Sequence, residues 1–269
     1  MAAYTLDDLL YLMRRLRDQQ DGCPWDLAQD FSSIVPHTIE ESYELADAIE
    51  SGDYRQIREE LGDVLFQVVF YSQLGSEQQQ FDFGDVVTAV AGKLLRRHPH
   101  VFPDGTLHSR AGEQTVETAR VKQTWEQIKE SERQGKQQPG VLDDVPIALP
   151  AITRAVKLQK RAARVDFDWD DPDQVLTQLT CELGELKEAR ATGDSAHIEE
   201  EFGDVLFSLI NLARHLNIEP ESSLRAANRK FEKRFRYIEE ALGAAGSSPA
   251  EASREQMEIL WGEAKTKGL

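Results

Sequence analysis

The stretch that decides the fold is ESYELADAIESGDYRQIREELGDVLF, residues 41–66, because it occurs again as ELGELKEARATGDSAHIEEEFGDVLF, residues 182–207. The two copies align without a gap at an offset of 141, and 14 of 26 positions are identical. Average residue frequencies give about two identities by chance over this length. Trp125 and Trp261, each followed by Lys four residues later, extend the match at an offset of 136. A unit of about 120–140 residues is therefore predicted to occur twice.

The length of the chain agrees with two domains. A chain of 269 residues accommodates one large domain or two modest ones. The segment 131–146, SERQGKQQPGVLDDVP, contains two Gly and two Pro and has few apolar residues. We interpret it as a linker between an N-terminal helical domain, 1–130, and a C-terminal helical domain, 147–269. A structured surface loop is the alternative for this segment.

Apolar residues recur at spacings of three and four, as in Leu6, Leu9, Leu10 and Met13, and strict alternation is scarce. This periodicity predicts an all-α fold of two tandem helix bundles. The predicted helices are 5–20, 37–51, 53–74, 83–97 and 113–134 in the first half and 150–164, 172–191, 194–216, 220–243 and 249–266 in the second.

Turn and capping signals divide these helices. Gly52-Asp53 and Gly193-Asp194 each combine a helix-ending Gly with a capping Asp, so each copy is predicted to contain a helical hairpin. Asp171-Pro172 marks a helix start. The segment 248–251, Ser-Pro-Ala-Glu, has the pattern of a capping box and predicts another start.

The charge of the chain restricts its partners. The net charge is −17, which disfavours binding to nucleic acids and to anionic membranes. An anionic substrate would then need metal ions or a local basic cluster. No apolar run approaches a membrane span, and the N-terminal residues do not resemble a signal peptide. The two cysteines, Cys23 and Cys181, form no CxxC pair, and a reducing cytoplasm is the expected location.

Each hairpin carries two pairs of acids with a spacing of three residues. Residues three apart share one helix face, and both pairs lie equally far from the turn, so four carboxylates are expected to converge in each bundle. Apolar residues within 61–69 indicate that the acids border the core. The acids are Glu41, Glu44, Glu60 and Asp63 in the first copy and Glu182, Glu185, Glu201 and Asp204 in the second.

Four unpaired carboxylates repel one another strongly and need cations. All-oxygen ligands favour Mg²⁺, with Mn²⁺ as a possible substitute. A di-iron carboxylate bundle would contain Glu-x-x-His, which does not occur in this chain, and a zinc site would use Cys or His. A solvated acidic face is the alternative for one such pair, but the repetition at identical spacing argues against it.

The acid motif has the form EExxE at 40–44 followed by ExxD at 60–63, and it is flanked by GCPWD at 22–26, RRHPHVF at 96–102 and FEKRF at 231–235. With these words and its duplication, the chain resembles the MazG family of the all-α NTP pyrophosphatase superfamily over nearly its whole length. The resemblance implies Mg²⁺-dependent hydrolysis of many NTPs and dNTPs to the monophosphate and pyrophosphate, with water attacking the α-phosphorus. It also implies a homodimer and a role in cleaning the nucleotide pool.

The resemblance also assigns site residues. The four acids of the second copy would be catalytic and metal-binding, and those of the first copy metal-binding. Binding of the phosphates and the base is implied for Asn228, Lys230, Arg234, Trp261 and Lys265, for which an exposed salt-bridged face or core packing are the alternatives. The first copy offers, in analogous places, Lys93, Arg96, Arg97, Trp125 and Lys129.

The two copies differ in ways that predict unequal activity. Glu40 precedes the first acid of copy one, where copy two has Cys181. The basic helix of copy one is expected to stop at His98, whereas that of copy two continues beyond Arg234, which fixes its cations better. The second site is therefore expected to be the more active. The six histidines show no metal-ligand spacing and are expected in surface or capping roles.

Two other functions fit parts of the sequence. RQIREELG, residues 55–62, partly matches the Nudix box REUxEExG, but the second copy, AHIEEEFG, loses the leading Arg and Glu. The other is a non-enzymatic acidic helical scaffold, which the duplication and the polar linker would suit. Magnesium-dependent turnover separates an enzyme from a scaffold.

Overall fold

The protein is all-α, as predicted. The computed structural model describes residues 3–111, 120–121, 124–125, 128, 132 and 140–269, and no β-strand occurs among them. The chain divides into two compact units, Met1–Glu132 and Arg133–Leu269. Half of the predicted linker, together with Lys129, lies outside the described residues. In the described part of the chain, no helix combines the length and the apolar character that a membrane crossing requires.

The first unit contains five described helices and a further helical stretch. Residues 120–121, 124–125, 128 and 132 are also helical, in agreement with the predicted helix 113–134 where it is described. The helices are α1 (Leu6–Leu16), α2 (Pro24–Leu27), α3 (Phe31–Ser51), α4 (Tyr54–Glu77) and α5 (Phe83–Arg97).

The second unit repeats the central hairpin, and the helix that follows the hairpin is longer than its counterpart in the first unit. A 3₁₀ turn, Ala163–Val165, follows the first helix of this unit. The helices are α6 (Ala151–Ala162), α7 (Pro172–Thr192), α8 (Ser195–His215), α9 (Pro220–Ala244) and α10 (Arg254–Thr266).

Both predicted hairpins are present, with α3 packed on α4 and α7 packed on α8. Gly52 and Gly193 end the leading helices with φ of 77° and 75°, in the left-handed region that favours glycine. Asp53 and Asp194 then accept hydrogen bonds from the first backbone N–H groups of the returning helices. The two acid-bearing helices of each unit are thereby held antiparallel over a short turn.

The predicted start of α3 at residue 37 is wrong, because the helix begins at Phe31. Asp30 caps it and forms a reciprocal pair of hydrogen bonds with Ser33. Pro36, whose ring disfavours a helix interior, lies inside the helix and does not end it.

Three other expectations about helix ends need correction. α1 ends at Leu16 instead of residue 20, and the short helix α2 follows it unpredicted. α10 begins at Arg254 instead of residue 249. The proposed capping box at Ser248 is only an isolated turn, and Ser253 caps the helix with Gln256 as its reciprocal partner.

Buried apolar side chains form a core in the first unit. The core of the first unit is built from Met13, Ile34, Val69, Phe70 and Leu74, where α1 and α4 meet. Among the apolar residues near the acids, Val69 belongs to this core, but several others are exposed in the single chain. These include Leu61, Leu65 and Val68 in the first unit and Phe202, Leu206 and Leu209 in the second.

Candidate metal centre

Three of the four predicted acids come together in each unit. Their carboxylate oxygens lie within 4.8 Å of one another across the hairpin. The equal spacing on two antiparallel helices produces this convergence, because it places acids from both helices at similar heights. The two clusters are Glu41, Glu60 and Asp63 in the first unit and Glu182, Glu201 and Asp204 in the second.

The fourth acid of each set, Glu44 or Glu185, is exposed and lies outside this close group. Glu44 still lies near enough for its charge to act on Glu41 and Glu60. The expected convergence of four carboxylates is therefore a convergence of three, with a fourth at its edge.

Burial and mutual repulsion both disfavour ionisation of two acids in the first cluster. Burial raises the pKa of Glu41 above its ordinary value, and the charges of Asp63, Glu44 and Glu60 raise it further. Burial also raises the pKa of Glu60, again with help from Glu44 and Asp63. A cation placed among these oxygens would oppose both effects, since it favours the ionised carboxylates.

The second cluster contains a buried carboxylate oxygen that has no hydrogen-bond partner in the described part of the chain. Glu201 is only 9% exposed, and its Oε1 lies 3.1 Å from His197 Nε2. Its Oε2 is buried and has no hydrogen-bond partner among the described residues. A buried carboxylate oxygen without a hydrogen-bond partner lowers the stability of the folded state. Because two further carboxylates face it, the missing partner is best supplied by a hard divalent cation, so the residues present fit Mg²⁺.

Two side chains that orient the acids were missed in the sequence. His197 contacts Glu201, and Gln178 Nε2 donates a hydrogen bond of 2.7 Å to Glu182 Oε1. Both precede their acid by four residues on the same helix, a spacing that could have revealed them. The expectation that all histidines serve surface or capping roles is wrong for His215, whose side chain is largely buried and contacts Asp168 at 3.1 Å. His197 is exposed, as expected, although it also contacts Glu201.

A cationic cleft lies in the same unit, between α9 and the end of the chain. It has a volume of about 420 Å³ and is lined by three of the predicted substrate-binding residues, Lys230, Arg234 and Lys265. Arg229 and Lys233, which the sequence analysis did not single out, also line it. Asn228 is exposed on α9 and does not line this cleft.

Arg234 is held in a defined position at the cleft. Its Nε donates a hydrogen bond of 2.7 Å to the backbone oxygen of Leu269. Its guanidinium carbon lies 5.4 Å from the centre of the Trp261 ring, and Phe231 packs on that ring at 5.3 Å. Trp261 therefore contributes packing and a cation–π contact together.

The corresponding cations of the first unit are engaged by an acid. Arg97 Nη2 lies 2.5 Å from Glu132 Oε2, and Arg96 lies 3.7 Å from the other oxygen of the same carboxylate. α5 ends at Arg97, as predicted, and His98 packs edge-on against Trp125 at 5.1 Å. Less positive charge is consequently left for an anionic ligand in this unit.

These features define the class of the protein: an all-α chain with duplicated helical hairpins, each with a carboxylate cluster that could hold a divalent cation. The model of the MazG nucleotide pyrophosphohydrolase domain matches residues 29–102 and 170–238. Each matched segment contains one of the two acid clusters. The chain belongs to this family.

Full-length relatives give the same family. The chain is 47% identical over 266 residues to the nucleoside triphosphate pyrophosphohydrolase of Escherichia coli (strain K12), a match that covers 98% of each chain. It is 41% identical over 264 residues to the nucleoside triphosphate pyrophosphohydrolase/pyrophosphatase MazG of Thermotoga maritima, covering 98% of this chain and 97% of the relative.

Proposed function

We propose that this chain is a nucleoside triphosphate pyrophosphohydrolase that cleaves NTPs and dNTPs to the monophosphate and pyrophosphate by attack of water on the α-phosphorus. The observation that carries this proposal is the buried, unpartnered Glu201 Oε2 among carboxylates, in the same unit as a cationic cleft. The carboxylates can bind cations, and the positively charged side chains of the cleft can bind an anionic substrate. The names of the full-length relatives support the same reaction.

In the second unit, Glu182, Glu201 and Asp204 would hold Mg²⁺, with Glu185 at the edge of the cluster as a fourth ligand. Mn²⁺ prefers similar oxygen ligands and should substitute. Bound there, the ion would lower the pKa of a water molecule and offset the charge of the leaving pyrophosphate. The hydrogen bonds from Gln178 and His197 would orient the carboxylates of Glu182 and Glu201 toward it.

The phosphate chain of the substrate would bind along the cationic cleft. Lys230, Arg234 and Lys265 face this cleft from two helices, so they can contact neighbouring phosphates. The contacts of Arg234 with Trp261 and Leu269 fix its guanidinium before substrate arrives. Asn228, exposed on the same helix, would contact substrate outside the cleft.

We propose that the second unit performs most of the turnover. Its cations line an open cleft, whereas Arg96 and Arg97 of the first unit both contact the carboxylate of Glu132. The first cluster, Glu41, Glu60 and Asp63, keeps the carboxylates needed to bind a cation. It is therefore a metal site with weaker means of binding a triphosphate.

We also propose that the chain forms a homodimer through the apolar faces of its hairpins. Phe202, Leu206 and Leu209 are 54%, 45% and 49% exposed on α8, beside the acids of the second unit. Their burial against a second copy would remove this surface from water. We further propose that the enzyme accepts many nucleotides, that it cleans the nucleotide pool in the cytoplasm and that it does not bind nucleic acids. The net charge of −17 supports the last point.

Product analysis tests this function. The purified chain would be incubated with a mixture of NTPs and dNTPs with Mg²⁺, with Mn²⁺ or with a chelator, and the products separated by chromatography. Monophosphate and pyrophosphate that form only with the metal ion would support the proposal. Diphosphate and phosphate would contradict attack at the α-phosphorus, and no product with either ion would favour the scaffold.

A further inference from the structure

A second cavity of the C-terminal unit lies beside the acid cluster and has a different character from the cationic cleft. It has a volume of about 600 Å³, within the range of small-ligand pockets, and lies between α6, the segment 166–169 and α8. Phe167, Trp169 and Phe207 contribute aromatic rings to its lining. Phe167 is 81% exposed and Trp169 is 42% exposed, so both rings offer a free face to a ligand.

The position of this cavity along α8 relates it to the acids. Asp204, Ser208 and Asn211 lie within about 60° of one another around the axis of this helix. Asn211 is seven residues beyond Asp204, which corresponds to about 10 Å along the helix. Ser208 and Asn211 line the cavity, while Asp204 belongs to the acid cluster. A nucleotide with its α-phosphate near Asp204 could therefore extend its base to Asn211.

The polar groups of the cavity have fixed hydrogen-bonding roles. Gln159, which is 6% exposed, donates from Nε2 to the backbone oxygen of Phe207 at 2.9 Å. Its Oε1 is buried and has no hydrogen-bond partner among the described residues. Asn211 accepts at Oδ1 from Arg214 at 2.6 and 3.2 Å, so its Nδ2 is the group that can donate to a ligand. The cavity thus presents an acceptor and a donor.

Two acids, Asp166 and Asp168, and one base, Arg214, line the cavity, which argues against a phosphate inside it. Arg214 and His215 both contact Asp168. Burial opposes ionisation of Asp168, but the hydrogen bonds from Arg214 and His215 hold its pKa below the ordinary value. Because the arginine is paired with an ionised carboxylate, the cavity suits a neutral aromatic group instead of an anion.

The first unit lacks the corresponding asparagine. At the repeat offset of 141, Asn211 corresponds to Phe70, which is 1% exposed and belongs to the core with Met13 and Leu74. A large apolar side chain therefore occupies this position in the first unit. The polar side chain at this position is therefore specific to the second copy.

We propose that the cavity of the C-terminal unit binds the nucleobase of the substrate, with Trp169 stacking on the base and Gln159 Oε1 and Asn211 Nδ2 hydrogen-bonding to its edge. This inference rests on the proposed function, since the base belongs to the triphosphate bound at the neighbouring acids. Every common nucleobase carries both a donor and an acceptor on its edge. One acceptor and one donor can therefore hydrogen-bond to any of these bases without discriminating among them. Base binding at this cavity is separate from the phosphate contacts of Arg234.

Binding of two partial ligands tests the proposal apart from hydrolysis. Adenosine carries a base without phosphate, and inorganic triphosphate with Mg²⁺ carries phosphate without a base. Adenosine binding would be followed by saturation-transfer NMR and triphosphate binding by calorimetry. The variants are Trp169→Ala, which removes the stacking ring, and Asn211→Phe, which introduces the residue of the first copy. Trp25→Ala, which removes a Trp that is 52% exposed in the first unit, is the matched control.

The native chain and Trp25→Ala are expected to bind adenosine. Trp169→Ala should weaken adenosine binding about tenfold or more, the effect of removing one base-stacking ring, while triphosphate binding stays within about twofold. Asn211→Phe should abolish adenosine binding. Trp169 is partly exposed, so its variant remains informative if Asn211→Phe does not fold. Adenosine binding that is absent from the native chain, or unchanged in Trp169→Ala, would overturn the proposal.

A failure of the proposed function is distinguishable from a failure of this inference. The absence of NTP hydrolysis by the native chain would reject the enzymatic reaction, and the adenosine measurement would still decide whether the cavity binds a base. If Trp169→Ala lost both triphosphate binding and adenosine binding, the proposal of a separate base site would be overturned, because a base pocket does not hold the phosphates.

Discussion

Glu60 and Glu201 occupy the same position in the two copies, yet their surroundings differ. Glu201 is buried with His197 four residues before it, whereas the first copy has Gln56 in the place of that histidine. Glu60 is half-buried and is affected by the charges of Glu44 and Asp63. The same acid thus lies in a repulsive cluster in one unit and is oriented by a neighbour in the other.

Relief of repulsion predicts that Glu60→Gln stabilises the metal-free chain at neutral pH. The raised pKa means that the folded state binds a proton more tightly than the unfolded state, so stability falls as pH rises from the ordinary value through the raised one. The melting temperature of the variant should exceed that of the native chain at neutral pH. The difference should shrink as the pH falls through the raised pKa and disappear below about 4.5, the ordinary value for Glu.

Thermal unfolding over a pH series, with a chelator present, measures this effect. Glu239→Gln, which removes an exposed acid of α9 outside both clusters, is the control and should shift the melting temperature less. Addition of Mg²⁺ should stabilise the native chain more than Glu60→Gln. A variant that melts below the native chain at neutral pH would contradict repulsion in this cluster.

At the scale of the element, the hairpin turns determine where the acids meet. Their Gly-Asp signals are local, so the sequence alone predicts both hairpins correctly. Helix ends were less predictable where two signals compete. Pro36 suggested a helix start after it, although Asp30 caps the helix earlier. The acid three residues after Ser248 suggested a capping box there, although Ser253 caps the helix. The weighting of such signals depends on tertiary packing, which a local pattern does not contain.

The left-handed conformation of Gly193 at the turn predicts that its substitution by alanine has a different effect on stability from the same substitution at Gly243, which lies in a helix. Gly193→Ala should destabilise the protein by about 1 kcal/mol, because a Cβ is disfavoured at a φ of 75°. Gly243→Ala, within helix α9, should be neutral or slightly stabilising, because alanine has the higher helix propensity. An added Cβ would meet no atom within 4 Å at either site, so the contrast isolates backbone conformation.

Denaturant titration of both variants provides the free energies of unfolding. The expected order is Gly243→Ala at or above the native chain and Gly193→Ala below it. Equal stability of the two variants would show that the turn tolerates a side chain and would contradict its role in setting the hairpin.

At the scale of the whole molecule, the repeat explains the architecture better than it explains the site. The acid spacing predicted from the sequence corresponds to three close carboxylates in each unit. Periodicity did not predict that Glu44 and Glu185 lie outside the close groups. The cavity at Gln159 and Asn211 was also missed, because it brings together residues up to 72 positions apart in sequence, from Leu142 to Arg214. Such contacts carry no local signature.

The exposed apolar face predicts self-association of the whole chain. Sedimentation should give the mass of two 30.4-kDa chains, and Leu206→Glu should shift it toward one, because a charge would be buried at the interface. Ile259→Glu, on the exposed side of α10, is the matched control and should remain a dimer. A native chain that sediments as a monomer, or a Leu206→Glu variant that stays dimeric, would contradict this interface.

The most direct test of the central claim, that the acid cluster of the second unit carries the reaction, is the turnover of matched variants. Pyrophosphate release from an NTP with Mg²⁺ would be compared for the native chain, Glu201→Gln and Glu60→Gln, with folding checked by circular dichroism. Glu201→Gln should lose most of the turnover, more than about tenfold for a lost metal ligand, and Glu60→Gln should lose less. Equal residual rates in the two variants, or a larger loss in Glu60→Gln, would contradict the claim.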